Sequence, residues 1–232
     1  MSGAAVVIGT GGIGRALANE LEQRGEHALV LRLGRSTEQR LDYADESSVS
    51  QSADWVSQQC QGAGLPLTLV IVATGFLHGM QGQPERSWSH LQPDHLAHSF
   101  LVNTIGPALV IKHFLPLLPR QGPCKAVFLS ARVGSITDNQ LGGWYGYRAA
   151  KAALNQLVKT ASIEQARRNR QAAVVTLHPG TVDTPLSAPF AKQGLNLRPS
   201  DLAAREIAGV IAGLDGGHNG SFVDYQGLPV PW

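Results

Sequence analysis

Cysteine is scarce in this chain: two residues in 232, Cys60 and Cys124, far apart and without metal or redox spacing. Two such thiols cannot make a disulfide scaffold, and they suit a reducing cytoplasm as idle, buried side chains. Charge of either sign is also sparse. Nineteen Lys and Arg stand against seventeen Asp and Glu, for a net charge of +2 and a pI near 8.7. That balance is too mild for a nucleic-acid or membrane-surface protein. The densest basic stretch, "ARRNR" at Ala166–Arg170, reads as the solvated end of a helix. Long apolar runs are missing too: "LPLTLVIVATGFL" and "PALVIKHFLPLLP" read as too short or too interrupted to span a bilayer. The opening "AAVVIG" has no basic region and no cleavage site ahead of it, so no export signal is expected. The eight histidines do not combine with acids into a metal-binding pattern, and no metal is expected.

What is present is alternation. Continuously apolar, β-branched runs predict strands at Ala4–Ile8, Ala28–Leu33, Leu67–Ala73, Ala126–Ser130, Ala173–His178 and Gly220–Asp224. Helical patterns lie between them at Gly12–Gln23, Asp45–Cys60, Leu91–Leu118, Trp144–Arg168 and Pro199–Leu214. Strands that are apolar throughout, without inside–outside alternation, belong to a parallel sheet covered on both faces. The expected fold is therefore α/β: one doubly wound parallel sheet in a three-layer αβα, Rossmann-type domain spanning 1–232. Ligands of such sheets bind at the carboxyl ends of the strands, and the motifs below all fall there.

The first strand runs into "VVIGTGGIGRALANEL", where Gly9, Gly11 and Gly14 form a G-x-G-x-x-G that opens a helix. The glycines allow a tight turn, close approach of backbone to a pyrophosphate, and close helix–strand packing; the helix start offers N–H donors. Gly12 and Ile13 lie inside the same turn. A purely structural glycine turn is the competing reading. An NAD site would place an acid about 20 residues on, at the end of the second strand. This chain instead reads "LRLGRSTEQR", with Arg32, Arg35 and Ser36 and no acid. A guanidinium suits a 2′-phosphate, so NADPH (NADP+) is expected over NAD, unless Arg35 only decorates a loop.

Further on, "YGYRAAKAALN" sets Tyr147 and Lys151 one helical turn apart among alanines. Alanine is the best helix former and the pair would fit any surface helix. The alternative is chemical. A phenol has a pKa near 10, and a cation one turn away would favour the phenolate and bring it toward operating pH.

With both motifs in register, and with "GSITDN", "HPGTVDT" and the closing "FVDYQGLPVPW", the whole chain resembles the short-chain dehydrogenase/reductase family, and within it the C-factor and sniffer-type carbonyl reductases. The resemblance implies an NADPH-dependent carbonyl reductase with a small-molecule aldehyde or ketone as substrate. It implies Tyr147 as acid/base, Lys151 as its cationic neighbour and ribose ligand, and Asn103 as the residue holding a proton-relay water. It implies cofactor contacts from Asp42 and Tyr43, from Ala73, Thr74 and Gly75, and from Pro179, Gly180, Val182 and Thr184. It also implies a homodimer or homotetramer. The glycine turn is one residue shorter than the family usually writes it. The family's catalytic serine falls at Ala131; Ser130 next door, Ser135 four residues on, or neither takes its place. Trp144, Tyr145 and Phe190 line a substrate pocket or are ordinary packing, with Thr184–Leu197 as a flap (the segment around 184–198). His178, at a strand end, reads as structural. A nucleotide-binding sensor with little turnover is the rival function.

Overall fold

Strand β1 (Ala4–Ile8) is buried at all five positions, and its neighbours explain why. The computed structural model describes residues 3–80, 82–190 and 197–232. In it β1 lies inside a six-stranded sheet with β2 (Leu29–Leu33), β3 (Leu67–Val72), β4 (Cys124–Leu129), β5 (Ala172–His178) and β6 (Phe222–Asp224). The order is β2-β1-β3-β4-β5-β6 and every neighbouring pair is parallel. Side chains alternate between two cores. Ala4, Val6 and Ile8 join one cluster with Val49, Val110, Phe114 and Leu154; Ala5 and Val7 join the other with Leu17, Leu21, Ile207 and Ile211. The first lies under α2 (Glu46–Gly62), α4 (Gly106–Phe114) and α5 (Tyr145–Arg168); the second lies under α1 (Gly12–Arg24) and α6 (Ser200–Gly213). The architecture is the expected three-layer, doubly wound sheet.

Its strand order has one consequence for function. The chain leaves β1 toward β2 on one side and returns to β3 on the other, so the loops after β1 and β3 part and open a crevice at their carboxyl ends. Strand ends and helix ends otherwise fall within a residue or two of the sequence pattern, and two departures have a clear structural cause. Gly220 does not extend β6, because it turns at φ 76 and packs against Ser162.

The second departure is larger. The segment Leu91–Leu118, expected as one helix, is divided into α3 (Pro93–Phe100), a π turn at Leu101–Ile105, α4 and a short 3₁₀ turn at Leu115–Leu117. Pro107 causes the break. It has no N–H for the carbonyl of Asn103, its partner in an α-helix, and its ring crowds that carbonyl. The helix opens by one residue, with the Gly106 N–H bonded to the Leu101 carbonyl. Taken as a whole, Pro93–Leu117 is long and apolar enough to cross a bilayer by length and composition, contrary to the expectation from its interruptions. In the fold it packs on α2 and α5. Both cysteines are buried and unpaired in the first core cluster, where desolvation pushes their thiol pKa values up.

Candidate active site

Gly9 ends β1 at φ 104, where a Cβ would stand 2.9 Å from the backbone of Ala73 and Thr74. Gly14 packs so closely that a Cβ would lie 1.8 Å from the Gly9 carbonyl oxygen. No other residue type fits either place, so the turn is held tight against the end of β3. Helix α1 then starts at Gly12 with Gly11 as N-cap, no side-chain cap and no acid in its first turn. Its first N–H groups and its positive dipole end are left for an anion, which is the arrangement a pyrophosphate requires.

Gly11, Gly12 and Ile13 of this turn border a cleft of about 470 Å³ that also takes in Ala73, Thr74, Gly75, Ser130, Tyr147, Lys151, Pro179 and Thr184, while Gly9 and Gly14 shape the turn from behind without lining it. The glycine turn, the strand ends and the Tyr-x-x-x-Lys pair, distant in sequence, therefore share one opening. Arg35 lines it as well, exposed and with no hydrogen bond or ion pair among the described residues. Arg32 points elsewhere and is paired with Glu22 at 2.7 Å. Ser36 is exposed beside Arg35. Asp42 and Tyr43 stand back from the cleft. Backbone donation from Ala44 and the Arg40 guanidinium hold the Asp42 carboxyl below its ordinary pKa. The Tyr43 hydroxyl meets Thr74 Oγ1 at 3.1 Å and its ring packs on Gly106, so it braces the end of β3 against the π turn; burial pushes its pKa up.

Tyr147 lies in the first turn of α5, partly buried. Lys151 follows one turn on, 2 % exposed, with its Nζ donating to the Leu129 carbonyl at 2.9 Å and standing 5.8 Å from the centre of the Tyr147 ring. The electrostatics correct the expectation from sequence. Burial pushes the Tyr147 phenol up to about 12, and burial pulls Lys151 down to about 7. Desolvation opposes either charge, and it outweighs the attraction of a neighbour one turn away. From the chain's own groups, the phenol holds its proton at neutral pH while the lysine is near its midpoint.

Asn103 is fully buried in the π turn. Its amide nitrogen donates to the Phe76 carbonyl at 2.8 Å and its oxygen accepts the Phe76 N–H at 3.1 Å. Its side chain therefore fixes the loop after β3 and does not line the cleft. Thr104, next to it, bonds the Ala150 carbonyl at 2.8 Å and ties the π turn to α5. Ser130 does line the cleft, but its hydroxyl is bonded to Asn155 Oδ1 at 2.7 Å. Ser135 is buried and accepts the Asp138 N–H. Ala131, extended at φ −148, carries no hydroxyl.

Gly180 turns at φ 73 after β5, and Val182 is buried where it pairs with Arg198. Arg198 clamps this segment, bonding the Pro179 carbonyl and Glu206 and stacking 3.5 Å from the Tyr225 ring. Sequence reasoning missed three lining residues, Phe76, His78 and Leu129; Pro185 belongs to the expected flap. Leu186, in the expected flap, lines the cleft too. The flap falls partly on residues 191–196, which lie outside the described residues. His95 and His98, one turn apart on α3, both stack against Phe76. His178 is largely buried, and desolvation lowers its pKa to about 4, so it is neutral.

A family model described as short chain dehydrogenase matches residues 3–194. The chain is 40% identical over 138 residues to the C-signal protein of Myxococcus xanthus, a match covering 59% of this chain and 78% of that one. Its fold is similar to two solved structures. One is the carbonyl reductase Sniffer of D. melanogaster (TM-score 0.84, 22% identity, 100% of both chains). The other is an NADPH-bound carbonyl reductase from chicken fatty liver (TM-score 0.85, 21% identity, 100% of this chain and 99% of that one). The chain belongs to the short-chain dehydrogenase family of NAD(P)-dependent oxidoreductases.

Proposed function

We propose that this protein reduces an aldehyde or ketone with NADPH. One observation carries the reading: the Tyr147–Lys151 pair opens into the same cleft as the uncapped start of α1 and Arg35. The cleft residues fit the cofactor. The α1 N–H groups would hold the pyrophosphate, Arg35 the 2′-phosphate, and Lys151, Pro179 and Thr184 the nicotinamide end. The bound nicotinamide supplies hydride. The chain supplies the rest. Tyr147, protonated at neutral pH, donates its phenolic proton to the substrate oxygen. Lys151, when charged, stabilises the phenolate that this leaves, and the Leu129 carbonyl keeps the ammonium within reach. Asn103 holds the Phe76 loop that borders the substrate side.

A second reading, a nucleotide-binding sensor with little turnover, draws support from one feature: Ala131 offers no hydroxyl to the carbonyl oxygen, and Ser130 is engaged with Asn155. One such donor is worth about 3 kcal/mol, so its lack makes a slow enzyme and not an inert one. The Tyr147–Lys151 pair, set in the cleft, favours the enzyme. The chain is further proposed to act in the cytoplasm as a homodimer or homotetramer, a reading supported by the exposed Ile105 and Ile163 beside the α5 layer. Tyr147→Phe separates the two functions: turnover of carbonyl substrates collapses while NADPH affinity is kept. Activity equal to the wild type's would refute the assigned proton donor.

A further inference from the structure

Helix α5 carries Tyr147 in its first turn, yet its own sequence does not finish its start. Trp144, the N-cap, makes no side-chain cap bond, and no acid stands in the first turn. The backbone there is unusual. Gly142, Gly143 and Trp144 follow one another at φ 64, 66 and 52, and Trp144 is the one non-glycine residue at positive φ among the described residues. A bulky side chain in that conformation is strained and persists only where its surroundings hold it.

Glu85, in the loop after β3, does the holding. It is 2 % exposed. Its main-chain carbonyl accepts the Trp144 N–H at 2.6 Å, and its carboxylate Oε2 accepts the Gly146 N–H at 3.1 Å. A carboxylate on the open N–H groups of a helix start supplies both the missing acceptor and a favourable charge at the dipole's positive end. Its place is reserved by sequence: a Cβ on residue 146 would stand 2.9 Å from Glu85 Oε1. From the other side His95 Nε2 approaches Oε1 to 3.9 Å. Fixed in this way, the indole of Trp144 meets the Tyr147 ring edge-on, with centroids 6.3 Å apart, and the Phe190 ring at 5.2 Å. Phe190 in turn meets His78, which lines the cleft, at 5.3 Å.

We propose that Trp144, packed edge-on against the lining residue Tyr147, is a specificity-determining wall on the Tyr147 side of the cleft that receives flat aromatic carbonyl compounds, and that Glu85 is the buried positioning residue that sets it there. This rests on the reductase reading above. Rings set edge to face around the proton donor bind a planar π system well and give a short aliphatic chain little to pack on. A tryptophan kept on a backbone that glycine would adopt freely is kept for what its ring touches.

The test compares benzaldehyde and propanal as probes, with NADPH. Trp144→Gly suits the backbone angle, so it is expected to fold and bind NADPH normally. Its preference for benzaldehyde over propanal in kcat/KM is expected to fall about tenfold or more, while Trp144→Phe keeps most of that preference. Glu85→Ala is expected to lower the same ratio, Glu85→Gln to restore it, and the Trp144→Gly/Glu85→Ala double variant to be no worse than Trp144→Gly alone. Gly146→Ala displaces the carboxylate without altering it and is expected to behave like Glu85→Ala, which covers the case of a Glu85→Ala chain that does not fold. Amide hydrogen exchange at Trp144 is expected to quicken in Glu85→Ala or Gly146→Ala and to stay unchanged in α5 from Ala150 onward. An unchanged ratio in folded Trp144→Gly overturns the wall. An unchanged ratio and exchange in the Glu85 and Gly146 variants overturn the brace. If the wild type does not turn over benzaldehyde, the wall is overturned, while exchange at Trp144 still decides the brace and the wider carbonyl panel decides the reductase reading.

Discussion

Replacing Lys151 with methionine is expected to make the protein more stable at pH 6 while abolishing its use as a reductase. Lys151 is 2 % exposed, and burial lowers its pKa from 10.5 to about 7. An unfolded chain binds the proton up to its ordinary pKa and the folded chain releases it near 7, so folding below pH 7 carries the full cost of a buried ammonium. That cost is about 5 kcal/mol at most. It declines as pH rises from about 7 and is gone above 10.5. Methionine has a similar straight chain and no charge, so it removes the cost. It also leaves the Leu129 carbonyl without its donor, a loss of about 1–3 kcal/mol. The net gain at pH 6 is about 2–4 kcal/mol, or roughly 5–15 °C in Tm for a chain of this size. Urea unfolding followed by tryptophan fluorescence at pH 6, 8 and 9.5 measures it. The advantage of the variant should shrink at each step and reverse between about pH 8 and 10. A variant that is less stable at pH 6, or a difference that does not change with pH, would refute the reasoning.

Activity should follow the same group in the opposite sense. The Tyr147 phenol stays protonated up to about 12, so the falling limb of the reduction profile belongs to Lys151: kcat/KM is highest below pH 7 and declines as the lysine loses its charge above it. A profile flat from pH 6 to 9 contradicts this. Ala131→Ser adds a hydroxyl at the end of β4 and should raise kcat about tenfold or more, with NADPH affinity unchanged; steady-state kinetics decides. Arg35→Ala should weaken NADPH binding by about 1–3 kcal/mol, as the loss of a charge-assisted contact does, and leave NADH binding as it was. Fluorescence titration of both cofactors checks that pairing.

The strands and the two chemical motifs were legible because they are written locally. Five consecutive apolar residues at Ala4–Ile8, three spaced glycines and a phenol one turn before a lysine each carry their structural meaning within a few positions. The break in the helix over Leu91–Leu118 is written in Pro107, whose missing N–H falls opposite the Asn103 carbonyl, but the continuous apolar pattern around it gives no sign of where the helix opens. Other features depend on partners far away in the chain. Nothing around "GQPERSW" says that Glu85 is buried against α5, since an acid among polar neighbours reads as a solvated loop. Only the two glycines before Trp144 hint at its left-handed turn. The resemblance implies a proton-relay water at Asn103, and nothing local shows that its amide ties down the backbone of Phe76. The charge state of the Tyr147–Lys151 pair was misjudged for the same reason: spacing gives the attraction between the groups, whereas desolvation depends on everything packed around them.

The central claim is that one cleft brings NADPH and a carbonyl compound to Tyr147. Titrating the purified protein with NADPH and NADH by fluorescence, then adding aldehydes, ketones and quinones to the tighter complex, tests it most directly. The account predicts tighter binding of NADPH and its slow, carbonyl-dependent oxidation. Tight binding without oxidation by any carbonyl would contradict the reductase and leave the sensor, and a preference for NADH would contradict the role given to Arg35.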